Sequence, residues 1–210
     1  MSEFEFFFAF YGLILGLAVA ELLQGVAALF RTRELKRLGW QSGLLMAFIL
    51  LAIVATWLDA WSNLRGVAIT METMAGPFLV AACYYLATAI VMPRNIEDWP
   101  SLDAYYAERK RWVMGLLLVA EILLTLMSTD RAVHMFNEQP LAFWAWWLPY
   151  NLAIKGCMVG VLLARGRRLN IVLLVGLIVL FAAPYWRMAG FEAPERLSPA
   201  AASPPAAAAT

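Results

Sequence analysis

Four ionisable residues, Glu21, Asp59, Glu121 and Lys155, sit inside stretches that are otherwise apolar. A charged side chain at the centre of a membrane helix costs roughly 2.5–3.5 kcal/mol on insertion scales. If lipid is the solvent, each must face the protein interior or water and find a polar partner. Helical spacing supplies such neighbours. Gln24 follows Glu21 by three residues, Thr125 and Ser128 follow Glu121 by four and seven, and Asn151 precedes Lys155 by four. Thr56, Ser62 and Asn63 flank Asp59 at helical offsets. Residues spaced in this way share a helix face.

Counting about 1.5 Å per residue from the expected helix ends puts Glu21, Glu121 and Lys155 within a turn or two of one depth. The expectation is therefore a Glu–Lys–Glu cluster joining three helices, with Asp59 nearer a membrane boundary. Two carboxyl groups sharing one ammonium in a low dielectric leave one carboxyl holding its proton at neutral pH. Such a group carries protons or binds a cation. The rival expectation is structural: intramembrane ion pairs fix helix packing, and Asp59 snorkels or caps a helix end.

Other chemistry lacks its residues. His134 is the single histidine, so a haem held by two histidines of one chain and a HExxH zinc site are both excluded. Cys83 and Cys157 stand alone in apolar blocks and read as small core residues. Ser62 and Ser128 have no neighbouring His or Lys to activate them. Glu97, Asp98, Asp103 and Glu108 alternate with basic residues and read as a solvated face. No Gly-rich phosphate loop and no basic nucleic-acid stripe is present. The chain is thus expected to have no catalytic residues, metal or cofactor, and no nucleic-acid partner.

The elements that must position these charges follow from composition. The chain is 63% hydrophobic and 15% charged, against about half and a quarter in soluble domains. The excess falls in blocks of roughly 18–25 residues, long enough to cross a hydrocarbon core about 30 Å thick. The fold class expected is an all-α, polytopic membrane helix bundle with about six transmembrane helices. They are placed at about 4–30, 40–63, 74–92, 112–129, 141–164 and 169–186, within a transmembrane domain of residues 1–192. Gly76-Pro77 falls in the first turn of the third, where proline costs least. Ser101 is expected to cap a helical lead-in to the fourth, and Pro149 to kink the fifth. Residues 193–210, rich in Ala and Pro, form a disordered tail. The acidic start, Met1-Ser2-Glu3-Phe4-Glu5, lacks a signal peptide's basic region, so the first block reads as a permanent helix.

Lys and Arg alternate between loops. Arg31, Arg33, Lys36 and Arg37; Arg94, Arg109, Lys110 and Arg111; and Arg165, Arg167 and Arg168 occupy one side, against Arg65, Arg131, Arg187 and Arg196 on the other. By the positive-inside rule the first three loops are cytoplasmic and both termini non-cytoplasmic, in a cell (inner or plasma) membrane. Trp40 and Trp112 fit an inner aromatic belt; Trp57, Trp61, Trp144, Trp146, Trp147 and Trp186 fit an outer one. Gly12 and Gly16, with Ala20, and Gly156 with Gly160 make small-xxx-small stripes for close helix packing. The lipid bilayer is the expected partner, with self-association or membership of a membrane complex as further options. Val-Ala-Glu recurs at Glu21 and Glu121, each opening a set of three helices, which is the pattern of an inverted repeat. Helices two and five do not match one another. The function expected is a small transporter or channel-like protein using Glu21, Glu121 and Lys155; the alternative is a non-catalytic assembly subunit.

Overall fold

The computed structural model describes residues 3–31, 38–63, 70–95 and 98–191. Among these, all regular structure is helical. The elements are α1 (Glu3–Arg31), α2 (Trp40–Asn63), α3 (Met71–Val91), α4 (Leu102–Met127), α5 (Thr129–Glu138), a single turn α6 (Pro140–Ala142), a π-helical turn (Phe143–Trp147), α7 (Leu148–Leu163) and α8 (Arg167–Phe191). Arg33, Lys36, Arg37, Arg65, Glu97, Arg196 and the 193–210 tail lie outside the described residues, as do the side chains of Ser62, Asn63, Trp186 and Arg187.

α1, α2, α3 and α8 are each long and apolar enough to cross a membrane, and α4 with α5 makes a fifth if that pair, bent by 53°, is one span. Their surfaces agree with this. Only 17% of the most apolar window of α8 and 28% of that of α1 is buried inside the protein. Leu13, Leu17, Leu126, Leu163 and Val172 all point outward. Apolar surface on this scale is rare on a soluble monomer.

Cross-helix contacts fix the direction of each helix. Phe4 and Phe8 near the start of α1 meet Trp61 at the end of α2, so the two run oppositely. Phe10 stacks on Phe78, and Gly25 faces Met92, so α1 and α3 run together. Tyr105 donates to the Ile90 carbonyl at 2.7 Å while Met127 packs on Gly76, which sets α4 against α3. Tyr150 donates to the Leu180 carbonyl and Gly160 faces Leu173, so α7 opposes α8. Phe48 meets Phe181 edge-on, and Tyr185 donates to the Ala55 carbonyl, so α2 and α8 run together. α1, α3 and α7 therefore point one way and α2, α4 and α8 the other. The core between them is built from Leu15, Ala18, Phe48, Ile49, Val80, Met114, Leu117, Met158, Leu174 and Leu177.

The helix ends depart from expectation where polar residues compete. α3 begins about one turn early because Thr70 and Thr73 form a reciprocal capping box. Pro77 is thus well inside the helix, where it removes the N–H that would bond the Thr73 carbonyl. Ser101 caps α4 as expected, accepting the Ala104 N–H at 3.2 Å. The expected loop after helix four instead carries α5, an amphipathic helix with His134 near Glu138 at 3.6 Å. The fifth block stays helical but passes through the π-helical turn just ahead of Pro149. Pro149 cannot donate to Ala145, and Leu148 donates five residues back to Phe143, the bond that defines a π-turn.

Candidate functional site: a polar chamber among α2, α4, α7 and α8

α4 presents Glu121, Leu124, Thr125 and Ser128 on one face, at offsets of three, four and seven. α7 presents Trp147, Tyr150, Asn151 and Ile154 with the same spacing, and α8 adds Phe181, Pro184 and Tyr185. With Ala55, Thr56, Leu58 and Asp59 of α2 and Arg131 of α5, they enclose a cavity of about 510 Å³. A second cavity of about 310 Å³ shares Thr56, Asp59, Leu124 and Ser128 with the first. It extends past Gly76 and Pro77 of α3 to Tyr11, Glu72, Thr73 and Asp130. Because they share Thr56, Asp59, Leu124 and Ser128, we name the two cavities together the chamber and each of them a lobe.

Three polar side chains here, Thr125, Ser128 and Asn151, bond within their own helix. Thr125 donates to the Glu121 carbonyl at 2.8 Å and Ser128 to the Leu124 carbonyl at 2.8 Å. Asn151 donates to the Trp147 carbonyl at 2.9 Å and accepts from Lys155 at 3.2 Å. The π-turn is what aims Trp147, Tyr150 and Asn151 at the cavity, since it advances the chain by one residue just before α7. Tyrosines tie the walls together instead: Tyr84 with Thr56 at 3.0 Å, Tyr150 with the Leu180 carbonyl at 3.0 Å, and Tyr185 with the Ala55 carbonyl at 3.1 Å.

The charges expected to cluster are redistributed. Glu121 is half-buried in the chamber wall, with Lys155 and Asp59 as its charged neighbours. Lys155 stands behind Asn151, and among the described residues it makes no ion pair with Glu121. Asp59, solvent-accessible and shared by both lobes, is as central as Glu121. Glu21 lines neither lobe. It lies on α1, which packs on α3 and α2, while α7 packs on α4 and α8. Glu21 is half-buried there and Gln24 is exposed. Thr125, Ser128 and Asn151 are all in the wall. Of the glycines, Gly12 meets Trp57 at 3.4 Å and Gly160 meets Leu173 at 3.0 Å, whereas Gly16 and Gly156 face open space within 4 Å.

No family model, curated protein or solved structure matches this chain. The site must therefore be read from its own chemistry. Tyr150, Tyr185, Glu72, Asp130 and Arg131 line it but were not among the residues singled out in the sequence. A tyrosine in an apolar span is itself a signal, because its hydroxyl needs a partner there. Among the described residues no group of three or more His, Cys, Asp or Glu could hold a metal ion.

The opposite end of the bundle carries a different polar cluster. Asp103 accepts from the Ser42 N–H and hydroxyl, both at 3.3 Å, and pairs with Arg167 at 3.5 Å. It thereby caps α2 from α4 and draws in α8. One turn and more along α4, buried Lys110 donates to the Ala164 carbonyl and, at 3.1 Å, to Asn170. Tyr106 donates to the same Asn170 oxygen at 3.0 Å. Asp103, expected on a solvated face, and Lys110, counted among the loop cations, are interhelical clasps.

Proposed function

We propose that this protein is a small transporter or channel-like membrane protein in which the chamber around Glu121 and Asp59 takes a cation or a proton. The observation that carries the reading is the way polar groups are spent there. Charges that serve only packing should bond across helices and leave no space. Here Thr125, Ser128, Asn151 and Lys155 bond along their own helices and leave about 510 Å³ between them. A cavity of that size takes a small molecule or many waters.

The chain crosses the membrane six times, with the α7 segment, interrupted by its π-turn, as one crossing. The alternating helix directions support this, since α1, α3 and α7 oppose α2, α4 and α8. Both termini and the chamber lie on the non-cytoplasmic side of the cell membrane. The clasps of Asp103 and Lys110 lie on the cytoplasmic side, next to the Arg-rich connections.

Glu121→Gln, Lys155→Met and their combination, reconstituted in liposomes, test the reading. Proton or cation flux is expected to fall at least tenfold in Glu121→Gln while the thermal midpoint holds. Wild-type liposomes that pass no ion, or single variants that unfold and are rescued in the double, would instead favour an assembly subunit. Cysteine labelling of the 32–37 segment from outside intact cells would invert the orientation.

A further inference from the structure

Three features of the chamber do not follow from ion or proton handling alone. The first is its volume: the two lobes, about 510 and 310 Å³, far exceed what a bare ion needs and match sites for small organic molecules. The second is its aromatic wall. Trp147, Tyr150, Phe181 and Tyr185 come from two helices to line one lobe, and Tyr11 lines the other. The third is its charge. Asp59, Glu121, Glu72 and Asp130 line the lobes against the guanidinium of Arg131.

Each feature narrows the ligand. In the larger lobe the two carboxyl groups of Asp59 and Glu121 outnumber the single guanidinium of Arg131, which favours a cation; Lys155 does not line the lobe and bonds Asn151 of its wall. Ring faces attract a cation that is poorly hydrated, and the benefit is largest when the site excludes water. A small inorganic cation would need several oxygens converging at bonding distance. Among the described residues no such acidic group of three converges. A cavity lined by both carboxyl groups and aromatic rings suits charge spread over a larger body.

Resting on the reading above, we propose that the ligand of this chamber is an organic ammonium ion, held between the Trp147–Tyr150–Phe181–Tyr185 wall and the carboxylates of Glu121 and Asp59. The ammonium lies toward Glu121 and Asp59 and its alkyl or aryl body against the rings. Arg131 of α5 lines the same lobe.

The test is titration of the purified full-length protein in lipid nanodiscs with tetraethylammonium, followed by calorimetry and by tryptophan fluorescence, with sodium chloride as the comparison. Saturable binding of tetraethylammonium is expected, with sodium competing only at far higher concentration. Affinity should fall about tenfold or more in Glu121→Gln and in Asp59→Asn, and about tenfold in Tyr150→Leu. Tyr150→Phe, which keeps the ring, should recover most of the loss. Where a variant loses its cooperative thermal transition, the other carboxylate variant carries the test. Tetraethylammonium heat that is equal in all variants would mean partition into lipid and overturn the proposal. Sodium or proton binding that depends on Glu121, without tetraethylammonium binding, would overturn the organic ligand and leave the cation chamber standing. Absence of both would remove the two together.

Discussion

The two ends of this bundle use similar residues to opposite effect. At one end Asp103, Lys110, Tyr106 and Asn170 reach from helix to helix and tie α2, α4 and α8 to one another. At the other, Glu121, Thr125, Ser128, Asn151 and Lys155 lie along α4 and α7, and a cavity opens between them. A polar side chain that bonds its own backbone one turn away is satisfied without a neighbour, so it adds little to helix association. One that bonds a different helix must hold that helix close. The chain therefore separates two tasks that a sequence of polar residues in apolar helices could equally have mixed: tying helices together at one end and lining a cavity at the other.

Asn170 is where this contrast is easiest to break. It donates to the Ala164 and Gly166 carbonyls at 3.2 and 2.9 Å and accepts from both Tyr106 and Lys110. Replacing it with Leu removes the acceptor of the Tyr106 hydroxyl and leaves the buried Lys110 ammonium with the Ala164 carbonyl alone. We expect a loss of about 3 kcal/mol or more, read as a lower thermal midpoint in detergent. A midpoint that does not move would mean that this end is held by apolar packing alone. Asp103→Ala comes next, at about 2 kcal/mol, since it removes the cap of α2 and the partner of Arg167 together. Gly39→Val should cost a similar amount for the same reason, because a side chain there would overlap the Asp103 carboxyl group. The two changes should not add when combined, and full additivity would show that Gly39 acts through something else.

Much of this architecture was legible in the order of residues, and the reasons for the rest are specific. The apolar blocks are set by length and hydropathy, and α2 falls on its expected bounds, Trp40–Asn63. Ser101 was readable as a cap because Asp103 and a helical run follow it. What periodicity along one helix does not carry is which helices become neighbours. Glu21 and Glu121 share local sequence, yet α1 packs on α3 and α2 while α4 packs on α3 and α7, and Glu21 lies nearer the Met92 end of α3 than Glu121 does. Asp59 was assigned the weaker role because it sits near a helix end, and it proves to be shared by both lobes. Lys110 and Asp103 resemble solvated charges in sequence because their partners, Asn170 and Ser42, are about 60 positions away. The π-turn is a matter of one residue, and Pro149 alone signals a break without telling which kind.

Removing a charge at the open end should do far less to stability. Glu121→Gln keeps shape and hydrogen bonding at a residue that, among the described residues, makes no ion pair with Lys155, so the thermal midpoint is expected to move by less than about 1 kcal/mol in equivalent terms. Ligand or ion handling should fall all the same. A drop as large as that of Asn170→Leu would erase the distinction between the ends, since Glu121 would then be a fastening too.

The finest distinction lies in the glycines, where sequence alone offers two equal stripes. At Gly160 a methyl group would come within 3.0 Å of Leu173, so Gly160→Ala must shift α8 and should cost about 1 kcal/mol. At Gly16 a methyl group meets nothing within 4 Å. Gly16→Ala should then be neutral or gain about 0.5 kcal/mol, the ordinary preference of a helix interior for Ala. Measured side by side in dilute detergent, the pair calibrates how tightly each face is packed in one chain. A Gly16→Ala protein that unfolds earlier only at high protein concentration would place a second copy against the outer face of α1, because no contact within this chain could produce that loss.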